Sequence, residues 1–191
     1  MKGRGTWGLA LGFVLSAGCS DAAKGGDASA SAKPRESAKA SDPATWERHS
    51  VGGASAKFPK KPESKPQTIK RPEGDVKVEM LVVEGDDGNV YSLVASDYES
   101  ELNPQAALDT VKTSWKSVKD KTLTEPKPVE LAGLPGREIS FTAKMPLGGR
   151  QRTFVDAKNG RIYTVDVVSN ERMDPAVIEG FLGSLQIEQP K

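Results

Sequence analysis

The chain has one cysteine (Cys19), one histidine (His49) and aromatic side chains at only 6 % of its 191 positions. With a single cysteine no intramolecular disulfide forms, so the fold must be held by its core. Charge of one sign is not in surplus either: 27 Lys and Arg face 26 Asp and Glu. That balance, without basic residues interleaved among aromatics, gives no general pull toward nucleic acid and sets that partner aside. Long apolar runs are missing. The segment Trp7 to Leu15 is broken by Gly8 and Gly12 and falls well short of the roughly 20 residues that a membrane-crossing helix needs. There is no His-Glu-x-x-His, no P-loop, no Gly-x-Ser-x-Gly, and no Gly-x-Gly-x-x-Gly after a strand. Nothing in the chain therefore calls for a metal or a cofactor.

The N-terminus is the most informative stretch. Lys2 and Arg4 form a basic start, the short apolar run follows, and Leu15-Ser16-Ala17-Gly18-Cys19 closes it with small residues before the cysteine. This order marks a secretory signal over residues 1–18. It resembles the lipobox of bacterial lipoproteins. The resemblance implies cleavage between Gly18 and Cys19, a diacylglyceryl group on the Cys19 thiol, and an acyl chain such as palmitate on the new amino terminus. Ser20 stands where an aspartate would imply retention at the inner membrane, so the resemblance leans toward the outer membrane of the cell envelope. Each buried CH₂ contributes roughly 0.8 kcal/mol and one chain alone is marginal, so two or three chains make a lasting anchor.

From Ser20 to Thr45 the chain is mostly Ala, Ser, Lys, Gly, Asp and Pro, with no aliphatic side chain beyond alanine. Such a stretch buries too little apolar surface to offset its ordering entropy. Residues 19–45 therefore read as a lipidated cysteine and a disordered linker, with a typical reach of about 25–30 Å.

Residues 46–191 read as one domain. Two short runs around Gly52-Gly53 form a hairpin. Pro59 to Pro72 carries four prolines and five cations against Glu63, which reads as a solvated connection guarding a sheet edge, with a short edge strand at Thr68-Ile69. Val76–Val83 and Val90–Tyr98 are apolar on both faces and are joined by an acidic turn. That turn lacks the ligand pattern of a calcium loop and reads as a plain Asp87-Gly88 hairpin turn. Asn103-Pro104 opens a helix with Leu108, Val111, Trp115 and Val118 as its apolar stripe. Thr122–Leu131 is an irregular strand, and Ala132 to Gly136 turns the chain into a strand over Arg137–Lys144. Asn159-Gly160 predicts a two-residue type I′ turn that sets Phe154 opposite Val165. Asp174-Pro175 opens a last helix packed through Val177, Ile178, Phe181, Leu182 and Leu185.

This order predicts an α+β domain: an antiparallel sheet with helices covering it. The chain resembles the Mog1/PsbP-like α/β/α sandwich over about residues 46–187. The resemblance rests on Trp46 with Phe58-Pro59, Leu134-Pro135-Gly136-Arg137-Glu138, Ile162-Tyr163-Thr164-Val165 and Phe181-Leu182-Gly183-Ser184-Leu185-Gln186-Ile187. It implies docking onto protein partners rather than catalysis.

Two expectations follow. The first is a lipid-anchored, non-catalytic domain that binds a protein in the cell envelope. The second is a ligand-binding or hydrolytic envelope protein with a cleft at the sheet edge, walled by His49, Arg137, Arg152 and Asp166. A deep pocket where several of these side chains converge favours the second; scattered positions on a flat surface remove it.

Overall fold

The computed structural model describes residues 42–99, 101–116, 121–143, 148–169 and 174–188. Gly18, Cys19 and the linker up to residue 41 lie outside them, as does Val118 of the predicted stripe. A single 3-10 turn at Pro43–Thr45 leads into β1 (Glu47–Val51), β2 (Ala54–Phe58), β3 (Glu63–Ile69), β4 (Val76–Glu84) and β5 (Val90–Tyr98). Helix α1 (Pro104–Lys116) is followed by β6 (Lys121–Leu123), β7 (Lys127–Leu131), β8 (Leu134–Ala143), β9 (Gly148–Asp156) and β10 (Arg161–Ser169). Helix α2 (Pro175–Leu182) and β11 (Gln186–Ile187) complete the order.

The strands form two antiparallel sheets. The larger runs β3-β4-β5-β10-β9-β8-β6, with β7 also paired to β8; the smaller runs β1-β2-β11. Strand alternation gives β10 two faces. Tyr163, Val165 and Val167 enter the main core with the small sheet and α2. Ile162 faces the other way and packs with Val155 against Ala107 and Leu108 of α1. The two helices thus meet opposite faces of the large sheet.

Local chemistry accounts for most elements. Gly52 and Gly53 have φ of +54° and +79°, which suits a two-residue hairpin with right-handed strand twist. The Asn103 side-chain oxygen accepts the Ala106 N–H at 3.0 Å, and Asp174 accepts that of Ala176 at 2.8 Å, so both predicted caps form. Val177, Ile178, Phe181 and Leu182 of α2, and Leu185 after it, are buried. β5 is covered on both faces as expected, whereas β4 buries Val76 and Val78 on one face but only Leu81 and Val83 on the other, where Lys77 and Glu79 are exposed.

Four further expectations change. The β9–β10 loop is four residues, Ala157 to Gly160, and pairs Phe154 with Tyr163 rather than Val165. The Asp156 carboxylate accepts the Asn159 backbone N–H at 3.1 Å and its side-chain amide at 2.6 Å. That local bond holds a wider loop than Asn-Gly alone specifies. The slip is two residues, so every side chain keeps its face. The predicted strand Thr122–Leu131 is two pieces, because residues 124–126 leave the ladder between β6 and β7. Finally, β3 is a seven-residue edge strand rather than a two-residue one, and β8 begins at Leu134 directly after a two-residue turn at Ala132-Gly133.

The Gly52 turn sits against the large sheet: a Cβ there would lie 2.4 Å from Ala95 Cβ. Gly88 also has positive φ (+75°), with nothing within 4 Å of that position. Replacing Gly88 with alanine should cost about 1–2 kcal/mol from backbone strain alone. Gly52→Ala adds overpacking and should cost about 2–4 kcal/mol. Urea unfolding of the two variants checks the difference.

Candidate functional site

The four side chains proposed as a cleft wall are placed on different surfaces. Asp166 of β10 stands two residues from Thr164 and four from Ile162, so it points to the α1 side. Its carboxylate accepts a 2.6 Å hydrogen bond from the Ser92 hydroxyl. Burial pushes the Asp166 carboxyl up to about 6, and the Ser92 bond offsets this only in part. In register it lies opposite Gln151. Around it the same face carries a polar strip: the Gln151 amide donates to the Thr153 hydroxyl at 2.9 Å, and Thr153 and Thr164 hydroxyls lie 3.3 Å apart.

Arg137 lies opposite Thr153 on β8 and shares this side. It is two strands and two residues from Asp166, about 10–12 Å by strand spacing and rise. Arg152 alternates with Gln151 and Thr153 and so faces the opposite side, toward α2. His49 is on β1 in the small sheet, its ring 6.1 Å from Phe58 at a steep angle. Its Nε2 is buried without a hydrogen-bond partner among the described residues. Arg137 and Asp166 share a face; Arg152 and His49 do not join them, and the four line no common cleft.

What the sequence reading missed is the company of Arg152. Its Nε donates to Glu138 at 2.6 Å and its Nη2 to Glu179 at 2.8 Å. Arg150 also pairs with Glu179 and lies 4.0 Å from Glu138. Two arginines from β9, one glutamate from β8 and one from α2 thus form a closed network at the edge of the core. Its inner members are mostly covered, with Glu138 at 15 % and Arg152 at 20 % exposure. The available signal was Arg150-x-Arg152, two cations on the inward parity of a strand; their partners are too distant in sequence to be read. This network joins α2 to β8 and β9 and engages all four of its charged groups with one another.

Two further surfaces complete the picture. At the C-terminal end of α2, Arg48 donates to the Ser184 carbonyl at 2.9 Å and to Ser55 Oγ at 3.0 Å. Lys57 donates to the Ala44 carbonyl at 3.1 Å. These groups border a shallow open depression of about 380 Å³, floored by Pro43, Gly180 and Ser184. The second surface is the β3 edge, where residues Glu63 to Thr68 are all exposed. Among the described residues no group of three His, Cys, Asp or Glu side chains is placed to hold a metal ion. No helix among them is long and apolar enough to cross a membrane.

An antiparallel sheet with a helix against each face and a small sheet beside one of them defines the fold as α+β. No family model matches the chain, and no curated protein matches it. Among solved structures, it is similar to the solution structure of cyanobacterial PsbP (CyanoP) from Synechocystis sp. PCC 6803. The TM-score is 0.52 at 13 % identity, over 75 % of this chain and 93 % of that one. The fold is therefore PsbP-like, as the sequence resemblance implied; at this identity the likeness concerns architecture.

Asp166 makes a pH prediction. Its carboxyl is raised from 3.8 to about 6 in the folded state. Below both values the acid is protonated folded or unfolded and has no effect. As pH rises through that window the folded state resists ionisation, so stability falls, by on the order of 3 kcal/mol once ionisation is complete. Asp166→Asn should remove this contribution, so the parent should lose stability relative to the variant between about pH 4 and pH 7. The contrast is read by chemical unfolding across that range, and an equal slope in both proteins would contradict it.

Proposed function

We propose that this chain is an exported lipoprotein, cut before Cys19 and held in the cell envelope by acyl chains on that residue. Its domain, residues 46–191, binds a protein partner and turns over no substrate. One observation carries the second statement: the charged groups best suited to chemistry are already committed to one another. Arg150, Arg152, Glu138 and Glu179 form a closed network between α2 and the sheet. Arg161 pairs with Asp97 and donates to the Gly52 carbonyl at 2.7 Å, joining the two sheets. Asp166 points to the far side of the large sheet from Arg152. His49, Arg137, Arg152 and Asp166, the candidates for a cleft wall, do not gather on one pocket, which favours the binding reading over the cleft reading. The PsbP-like fold agrees with a binding domain.

The anchor half of the reading is supported by Leu15-Ser16-Ala17-Gly18-Cys19 and by the polar linker behind it. Ser20 after the cysteine favours the outer membrane.

The anchor is tested by Cys19→Ala. The variant should leave the membrane fraction after a high-salt wash, while the unchanged protein stays; retention of the variant would refute lipid anchoring. Partner binding is tested by cross-linking in cells. The intact chain should capture one dominant protein that a variant ending at Thr45 does not. Capture of nothing above that control would count against a protein-binding domain.

A further inference from the structure

We propose that residues 60–71, centred on β3, form a basic foot that rests on an anionic lipid surface and sets the orientation of the domain. This rests on the lipid-anchored reading above and adds a second, non-covalent membrane contact to it.

Charge is strongly segregated in this domain. Residues 46–191 hold 21 basic and 22 acidic side chains; five of the basic ones and one of the acidic ones lie within residues 60–71. The remainder is left with 16 basic against 21 acidic. A positive strip is thus set in an acidic body, which directs one edge of the molecule toward negative charge.

The fold presents that strip to solvent. β3 is the end strand of the large sheet, and its side chains from Glu63 to Thr68 are exposed on both faces. Lys60 and Lys61 precede it, Lys65 sits near its middle, and Lys70 and Arg71 follow it. At the usual rise per residue the cations are spread over a ridge more than about 20 Å long. Two of the lysines have acid neighbours, Lys60 with Asp86 at 3.1 Å and Lys65 with Glu63 at 3.2 Å. Both pairs are open to water, with side-chain exposures from 50 % to 86 %, and such pairs yield readily to a denser field of charge. Lys61 and Lys70 have no carboxylate partner among the described residues.

Three features favour a lipid surface over a peptide. First, Pro66 is paired with Glu79 in the β3–β4 ladder. A proline in a paired edge strand stands with its nitrogen on the solvent side, so a docking strand would lose its central donor. Second, the edge is a ridge with both faces bare, and the depression of about 380 Å³ lies elsewhere, beside α2. Third, four of the five cations are lysines, compact hydrated charges on flexible stems that suit a diffuse field of headgroups. The one arginine, Arg71, lies over the Tyr98 ring at 6.0 Å.

The test uses residues 20–191, which contain every described residue and lack Cys19, so acylation does not enter the result. The chain is sedimented with phosphatidylcholine vesicles, with and without one third phosphatidylglycerol. It should bind the anionic vesicles only, and added salt should weaken the binding. Each cation near such a surface contributes about fivefold, so Lys61→Gln/Lys65→Gln/Lys70→Gln should lower partitioning roughly a hundredfold. Thermal unfolding of that variant should be unchanged, and Lys127→Gln/Lys158→Gln, placed away from the ridge, should bind almost as the parent does. No binding to anionic vesicles would overturn the proposal, as would binding that the triple variant retains. Capture on polyglutamate beads without vesicle binding would also overturn it and assign the ridge to an acidic protein.

Discussion

Phe181 is the point at which the layers of this protein meet. Its ring centre lies 5.0 Å from Tyr91 of the large sheet, 5.4 Å from Phe58 of the small sheet and 6.4 Å from Trp46 at the entry to the domain. Trp46 and Tyr91 make their own edge contact at 5.1 Å. Edge-on pairs of this kind add about 0.5–1.5 kcal/mol each beyond the area they bury. In a chain with no disulfide to draw on, one side chain of α2 therefore ties together α2, both sheets and the residue before β1. Tyr91 is held in turn by its hydroxyl, which donates to Asp87 at 2.6 Å. Burial first and then the Asp87 carboxylate push that phenol far above its ordinary range, so it stays a donor. The acidic turn is thereby explained as a clamp on an aromatic ring.

Around this apolar centre the polar side chains act as ties between elements. Glu138, Arg150, Arg152 and Glu179 close the α2 seam, and Arg161 spans from Asp97 to the Gly52 turn. Glycines make room for the rings: a Cβ at Gly149 would lie 2.2 Å from the Phe141 ring, and one at Gly136 2.6 Å from Phe154. The polar strip of Ser92, Asp166, Gln151, Thr153 and Thr164 on the α1 side is the exception, a run of hydrogen-bonding groups where an apolar face was available. The cost of its one carboxylate is visible in the raised pKa of Asp166.

The local signals were legible wherever they were self-contained. Gly52-Gly53, the Asn103 and Asp174 caps, the apolar face of α2 and the two-faced strand β5 each depend on neighbours within a few residues. Lost were the features decided at a distance. Register in the β9–β10 hairpin turned on a side-chain bond from Asp156 that Asn159-Gly160 does not advertise. β11 exists because Gln186 and Ile187 find β2, more than a hundred residues earlier. The proposed cleft failed for the same reason. Parity along one strand says that Arg152 and Asp166 point to opposite faces only once β9 and β10 are known to be neighbours in that register. The partner of Arg152, Glu179, is 27 residues away on another element.

The entry of the chain has a mechanical consequence. Pro43 packs so closely on α2 that a Cβ at Gly180 would lie 2.7 Å from its ring. The Asp42 carboxylate accepts the Ala44 N–H at 2.9 Å, Lys57 grips the Ala44 carbonyl, and Trp46 follows as a buried plug. Tension arriving along the preceding residues is therefore delivered to α2 and to an aromatic ring before it reaches a strand. Behind that plug, β1 is an outer strand joined to β2 by a hairpin, a geometry that opens one bond at a time under load. Load entering at the N-terminal end of the domain therefore meets the buried Trp46 first, and then Arg48 of β1, which is tied to Ser55 and to the Ser184 carbonyl.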